Sequence, residues 1–178
     1  MLILDLFEMA RLESGTVTMR DERLDWAALT RHTIERYEPK FDRVGLTLID
    51  SGCPTHAWVE ADGRRMEQVL ENLLINAVRY VPTGGTVWMS MAAQKTDEGD
   101  RFRLEVVDDG PGFPPSDLDK VFDRFYRGNL TESFPGSGLG LAIVKEIVER
   151  QGGTVEAANR RPAGAVLAIS LPAAPPTS

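Results

Sequence analysis

The stretch that most constrains the fold is DGRRMEQVLENLLINAVRYVP, residues 62–82. Met66, Val69, Leu70, Leu73, Leu74 and Ala77 recur at steps of three and four, which puts them on one face of an α-helix. Asp62 suits the N-cap, because a short carboxylate there accepts from the first unpaired backbone N–H groups. Pro82 cannot extend the helix. The result is a strongly amphipathic helix with a definite start and stop.

The rest of the chain supplies strands and further helices. Leu2, Leu6 and Met9 sit at helical spacing up to Ser14-Gly15, so residues 1–15 read as the end of a helix that began before the visible chain. A short helix docked on its own domain is the alternative. Residues 16–20 (TVTMR) read as a strand, and Asp25 can cap a helix running to about Phe41 with Leu29, Ile34 and Tyr37 among its apolar positions. Strands are expected near 45–50 and 56–60, and again at 86–94 and 102–107, the last two joined by TDEGD. Ser116 with Asp119 forms a capping-box pattern for a short helix near 117–123, while 126–138 is too irregular to assign. A helix over about 139–151 stops at Gly152-Gly153, strands near 154–158 and 165–171 follow, and the tail 173–178 (AAPPTS) is expected to be disordered. With hairpins and few βαβ alternations, this set predicts an α/β (α+β) two-layer sandwich over 16–172, its helices on one face of a mixed, mainly antiparallel sheet.

Length and charge narrow the function. The chain has 178 residues, enough for one domain with a short appendage. Its net charge of −7 leaves no basic footprint for nucleic acid. A nucleotide held by so acidic a protein needs local arginines and backbone N–H groups. Cys53 is alone, no paired metal-ligand spacing occurs, and His32 and His56 read as structural or surface residues. The longest apolar runs, such as AVLAI at 165–169, are far short of the ~18 residues of a membrane span. MLILDLF lacks the positive start of a signal peptide. A cytoplasmic location is expected, compatible with a membrane segment upstream of Met1 in a longer parent.

Four segments carry chemistry. On helix 62–80, Asn72, Asn76 and Arg79 fall within roughly 60° of one another at ~100° per residue, with Tyr80 beside them. Amides bordering a core need partners; a self-satisfied surface pair is the alternative. In VVDDGPGF (106–113), Asp108 ends a strand and can accept from an exocyclic amine, while Gly110 and Gly112 let the backbone approach a ligand. An ordinary turn has the same composition. In VFDRFYRG (121–128), Phe122 and Phe125 can anchor a loop and Arg124 and Arg127 can fork onto phosphate; solvated arginines are the alternative. FPGSGLGLAIV (134–144) brings Gly136, Gly138 and Gly140 to a helix start. It lacks the Gly-Lys-Ser/Thr of a Walker loop and the spacing of a dinucleotide fingerprint, but it offers N–H groups where the helix dipole favours anions. Phosphate binding is the better reading, and a flexible linker the alternative.

In this order ENLLINAVRY, DDGPGF, VFDRFYRG and GSGLGLAIV resemble the asparagine, first glycine, phenylalanine and second glycine boxes of bacterial sensor histidine kinases. Those kinases belong to the ATPase superfamily that also holds gyrase, heat-shock chaperone ATPases and mismatch-repair proteins. The resemblance covers roughly residues 20–171, and ARLESG is similar to the exit of the second dimerisation helix. It implies a Bergerat-type ATP-binding fold in which Asn76 holds Mg²⁺, Asn72 supports the phosphate side, Arg79 meets phosphates and Tyr80 lies near the nucleotide. Asp108 would bind the adenine amino group, with Gly110, Gly112 and Phe113 shaping its pocket. Residues 113–137 would form the ATP lid with Phe125 facing the nucleotide, Arg124 and Arg127 meeting the γ-phosphate, and Gly136, Ser137, Gly138, Leu139 and Gly140 lining the triphosphate. Two departures are small: Asp109 stands where an asparagine is common and adds negative charge near the site, and Phe113 replaces an aliphatic. The larger one is that no HE-x-x-x-P-like phosphoacceptor box occurs; neither His32 in LTRHTIERYEP nor His56 in PTHAWVE matches it.

The implied function is transfer of the ATP γ-phosphoryl to a histidine on a dimerisation segment outside this chain, for relay to a response-regulator aspartate. Alone, the chain is expected to be a monomer that binds nucleotide without labelling itself, from a homodimeric parent. The rival readings are an ATP-sensing docking module and a serine kinase of the anti-sigma-factor type.

Overall fold

Asp62 joins three parts of the chain at the start of the amphipathic helix. In the computed structural model, which describes residues 2–128 and 136–177, α3 spans Gly63–Tyr80. The Asp62 carboxylate accepts from the N–H groups of Arg64 and Arg65 at 3.1 and 3.2 Å and from that of Arg20 at 2.9 Å. Its own N–H donates to Gln151 Oε1 at 2.5 Å. Burial alone raises a carboxyl pKa, but the three backbone donors, with Arg65 nearby, hold Asp62 below its ordinary value. All six apolar residues expected on the inner face of α3 are buried.

That face packs against a five-stranded sheet. β2 (Thr47–Asp50), β4 (Thr86–Thr96), β5 (Gly99–Asp108), β7 (Ala165–Pro172) and β6 (Thr154–Asn159) lie in the order β2-β4-β5-β7-β6. β2 runs parallel to β4 and the other neighbours are antiparallel. The period-two alternation turns Val87, Met89 and Met91 of β4, Leu104 and Val106 of β5, and Leu167, Ile169 and Leu171 of β7 into the core. Register stacks them in rows, with Met89 opposite Val106 and Val106 opposite Leu167. Across from the sheet lie α2 (Trp26–Arg43), α3 and α4 (Gly140–Arg150). This is the expected two-layer α/β sandwich.

β1 (Glu22–Asp25) and β3 (Trp58–Ala61) form a separate antiparallel pair. The strand expected at 16–20 is therefore displaced. TVTMR has the composition of a strand but no neighbour to pair with; Val17 is buried and the Arg20 N–H goes to Asp62. The capping box at Ser116 does not form either. Pro114 and Pro115 set up a single 3-10 turn over Pro115–Asp117, and the Ser116 hydroxyl bonds the Asp117 carboxylate at 3.1 Å. The β4–β5 hairpin is longer than expected, closing through Asp97-Glu98 with Gly99 at φ 122°. At the other end the tail begins tied down: Ala173 donates to the Asp100 carbonyl at 2.9 Å and Ala174 to that of Trp58 at 2.8 Å.

α1 (Leu2–Glu13) docks on α4. Met9 and Leu12 are buried there, Arg65 pairs with Glu8, and the Arg150 guanidinium donates to the Leu12 carbonyl. Leu2 and Leu6 are exposed, as are Ile3, Leu4 and Phe7. Among the described residues, no helix is long and apolar enough to cross a membrane.

Asp62→Ala should lower the unfolding free energy by about 1–2 kcal/mol at pH 7, the usual cost of losing a cap. Because the folded pKa is depressed, this stabilisation is present above the unfolded value of 3.8 and is lost as pH falls through the folded pKa. Urea unfolding of the two proteins should show their gap narrowing below about pH 4.

Candidate functional site

The polar border of α3 faces a cavity of about 390 Å³, walled also by the end of β5, the loop after it, residues around 121–128 and the first turn of α4. Asn72, Asn76, Arg79 and Tyr80 all line it, with Ile75 between them. Asn72 Nδ2 donates to the Gly140 carbonyl at 3.2 Å and so ties α3 to the start of α4. The helical spacing that grouped these residues in the sequence thus groups them on one wall.

Asp108 ends β5 on the same cavity. Its Oδ1 accepts from the N–H groups of Gly110 at 2.9 Å and Ala165 at 3.1 Å. Among the described residues, both of these bonds go to Oδ1. Burial raises the pKa of this carboxyl; the two N–H bonds pull it down, Asp109 pushes it up, and the net shift is upward.

The loop after Asp108 is shaped by contact with the β6–β7 turn. Gly112 lies at φ 73°, and a Cβ on it would stand 2.7 Å from the Gly164 carbonyl oxygen. Phe113, on the cavity wall, donates its N–H to Asn159 Oδ1 at 2.8 Å and accepts from Asn159 Nδ2 at 2.7 Å. Gly110 spends its N–H on Asp108 and does not line the cavity. Asp109 does not line the cavity, but its charge is felt there through Asp108, whose pKa it raises. The Asp109 carboxylate accepts from the Thr86 N–H at 2.8 Å, at the start of β4.

The phenylalanine-box segment divides. Val121, Tyr126 and Arg127 line the cavity, and Phe122 packs half-buried against the core. The Tyr126 hydroxyl donates to Asp117 Oδ2 at 3.0 Å; burial first, then this carboxylate, pushes its pKa up to about 12. Phe125 does not face the cavity. It is 56% exposed, sits in the left-handed region at φ 61°, and donates its N–H to the Gly138 carbonyl at 2.8 Å. Arg124 also lies outside the wall, paired with Glu13 of α1. Residues 129–135 of the expected lid lie outside the described residues.

At the helix start, Ser137, Gly138 and Gly140 line the cavity. Gly138 combines φ 70° with a close approach: a Cβ there would be 2.8 Å from Phe125 Cα. Two expected members do not line it. Leu139 is fully buried in the core, and Gly136 lies against the Arg79 guanidinium. Asp5, Ile75, Val121, Tyr126, Leu141 and Ala165 line the cavity without having been singled out. Tyr126 stood inside a quoted box and was legible; Asp5 reaches the site from α1 and gave no local signal.

Elsewhere, Cys53 is half-buried with its thiol pushed up to about 11, chiefly by burial, which favours the protonated form at neutral pH. His56 Nδ1 pairs with Asp25 at 2.7 Å, and His32 lies exposed on α2. Among the described residues, no three His, Cys, Asp or Glu side chains are grouped to hold a metal.

Residues 61–175 match the model of the histidine kinase-, DNA gyrase B- and HSP90-like ATPase family. The sensor protein KdpD of Escherichia coli is 36% identical over 172 residues, which are 96% of this chain and 18% of KdpD. The sensor protein SphS of Synechococcus elongatus is 35% identical over 184 residues, 98% of this chain and 43% of SphS. Among solved structures, full-length ShkA in complex with AMPPNP matches with a TM-score of 0.83 at 29% identity, over 99% of this chain and 36% of that one. The chain spans less than half the length of each of these relatives. It belongs to the histidine kinase-, DNA gyrase B- and HSP90-like ATPase family, and within it to the ATP-binding catalytic domains of sensor histidine kinases.

Proposed function

We propose that this domain holds Mg–ATP in the α3–α4 cavity and presents it to a histidine on a dimerisation segment outside the chain, for relay to a response-regulator aspartate. The observation that carries the reading is Asp108. Two backbone donors fix Oδ1 of a half-buried carboxylate on the cavity wall, and in this reading Oδ2 accepts from an amine. Adenine offers an exocyclic amine; guanine offers a carbonyl oxygen at the corresponding position, which a carboxylate repels.

The remaining walls suit the rest of the nucleotide. The cavity volume lies within the ~300–1,000 Å³ of small-molecule sites. Arg79 and Arg127 supply positive charge and α4 supplies a helix N-terminus for phosphate. Asn76 offers one hard amide oxygen. Mg²⁺ takes few protein ligands and completes its shell with phosphate oxygens and water, so the absence of an acidic cluster among the described residues fits. Bound Mg–ATP brings the transferable γ-phosphoryl. The chain's own groups orient it and offset its charge, which is most of what phosphoryl transfer asks of a protein. The exposed apolar residues of α1, Leu2 to Phe7, support its reading as the end of a dimerisation helix. A membrane-anchored parent with this domain on the cytoplasmic side belongs to the same reading.

Asp108→Asn tests the base contact. Asparagine keeps an Oδ1 for the two N–H donors but replaces the accepting Oδ2 by a donor. Calorimetry should show ADP affinity falling at least about tenfold, as a polar mismatch in a buried site does. The unliganded variant should melt no lower than wild type. A raised folded pKa means that stability declines as pH rises from 3.8 through the folded value, so the ionised carboxylate is a cost at neutral pH. By the same shift, wild-type ADP affinity should weaken on acidification before ordinary carboxylates titrate.

Asn76→Ala should bind ADP equally well with Mg²⁺ and with chelator, where wild type binds more tightly with the metal. For the transfer itself, labelled ATP should leave the isolated chain unlabelled and label a dimerisation segment supplied in trans. The label should be acid-labile, as phosphohistidine is; an acid-stable product would favour a serine kinase.

A further inference from the structure

Among the described residues, Asp5 is the one carboxylate besides Asp108 on the cavity wall, and it belongs to a different part of the chain. Its Oδ2 accepts from the Ser137 hydroxyl at 2.6 Å, and Ser137 Oγ in turn accepts from the Leu139 N–H at 3.2 Å. A side-chain hydroxyl and an N–H at a helix start are the donors a phosphate oxygen uses. Here the hydroxyl is already engaged by a carboxylate and the N–H by that hydroxyl. The charge is held in place, because α1 is fixed to the domain by buried Met9 and Leu12 and by the contacts of Glu8 and the Leu12 carbonyl. One helical stretch further on, Glu13 takes Arg124. Docked α1 thus adds a negative charge to the cavity and engages an arginine beside it. Both effects oppose a polyanion.

On the reading of the cavity as an ATP site, we propose that Asp5 is a specificity-determining residue that makes the domain with α1 docked discriminate against nucleotides according to their phosphate charge. The nucleoside end, at Asp108, is untouched by it. Coulomb repulsion scales with the ligand's charge, so the penalty grows from adenosine to ADP to ATP. Linkage makes the effect reciprocal: what α1 docking costs ATP, bound ATP costs α1 docking. Asp5 then couples the position of α1 to the nucleotide the domain retains.

The test is calorimetric titration of the whole chain with adenosine, ADP and a non-hydrolysable ATP analogue, each with Mg²⁺, for wild type, Asp5→Asn and Asp5→Ser. Asparagine still accepts from Ser137, so α1 keeps its seat while the charge is removed. Adenosine affinity should stay within about twofold, and the ratio of ATP-analogue to adenosine affinity should rise about tenfold, with ADP between, in the range of ordinary couplings between sites. Asp5→Ser should raise the ratio as well. A ratio that is unchanged overturns the proposal. So does a ratio that falls, since Asp5 would then be helping to hold the cation or the phosphates. If the folded wild type binds none of the three ligands, the ATP-site reading fails and this inference fails with it. Wild-type binding with no change of ratio sinks the inference alone.

Discussion

The burial of one face of α3 governs both the core and the cavity. Met66, Val69, Leu70, Leu73, Leu74 and Ala77 are buried together, and this fixes the rotation of the helix about its axis. At ~100° per residue no other position is then free to choose its direction. Asn72, Asn76 and Arg79 border the apolar stripe, so packing the core also delivers them to the cavity. Asp62 fixes where the helix begins, and with that the height of each residue along the wall. A hydrophobic stripe worth ~1.5–3 kcal/mol per large side chain therefore pre-positions groups that contribute little to folding.

The glycines give a different account of themselves from the one their spacing suggests. In sequence, Gly112 and Gly138 look like places where backbone approaches a ligand. In the fold they are places where chain approaches chain. Gly112 meets the Gly164 carbonyl, and Gly138 meets the backbone of Phe125. Both also lie at positive φ, where a side chain costs strain. The cavity is shaped by these contacts, and Asn159 clamps one of its walls through both polar groups of the Phe113 backbone. A ligand site built from backbone against backbone is pre-formed to that extent before any ligand arrives.

What the sequence disclosed was what depends on neighbours in the chain. The period of α3, the caps at Asp25 and Asp62 and the alternation in β4 and β5 are local, and each appears in the structure. What stayed hidden depends on a distant partner. TVTMR has the composition of a strand and ERLD does not, yet ERLD is the strand because it lies opposite Trp58–Ala61. Asp109 puts its charge beside the site, yet its carboxylate is bonded to the Thr86 N–H at the start of β4 and is not on the cavity wall. Arg124 and Arg127 are equivalent in the string VFDRFYRG, yet only Arg127 lines the cavity, because Glu13 lies within reach of Arg124. The box motifs located the site. They did not say which members point into it.

An acidic protein that receives a polyanion has to separate its charges by function. The net charge of −7 is unfavourable to ATP at long range, and screening over about 8 Å at physiological salt confines the decision to the groups nearest the ligand. There Arg79, Arg127 and the amides of the helix start face the phosphates in the proposed reading, while Asp108 faces the base. The half-buried Asp108 carboxylate is tolerable beside a nucleotide because backbone donors satisfy one of its oxygens. Burial raises its pKa, so ionising it in this placement opposes folding. In the proposed reading a ligand amine that meets Oδ2 offsets this. In that reading, a ligand without that amine leaves a partly desolvated carboxylate uncompensated, and this difference would favour adenine.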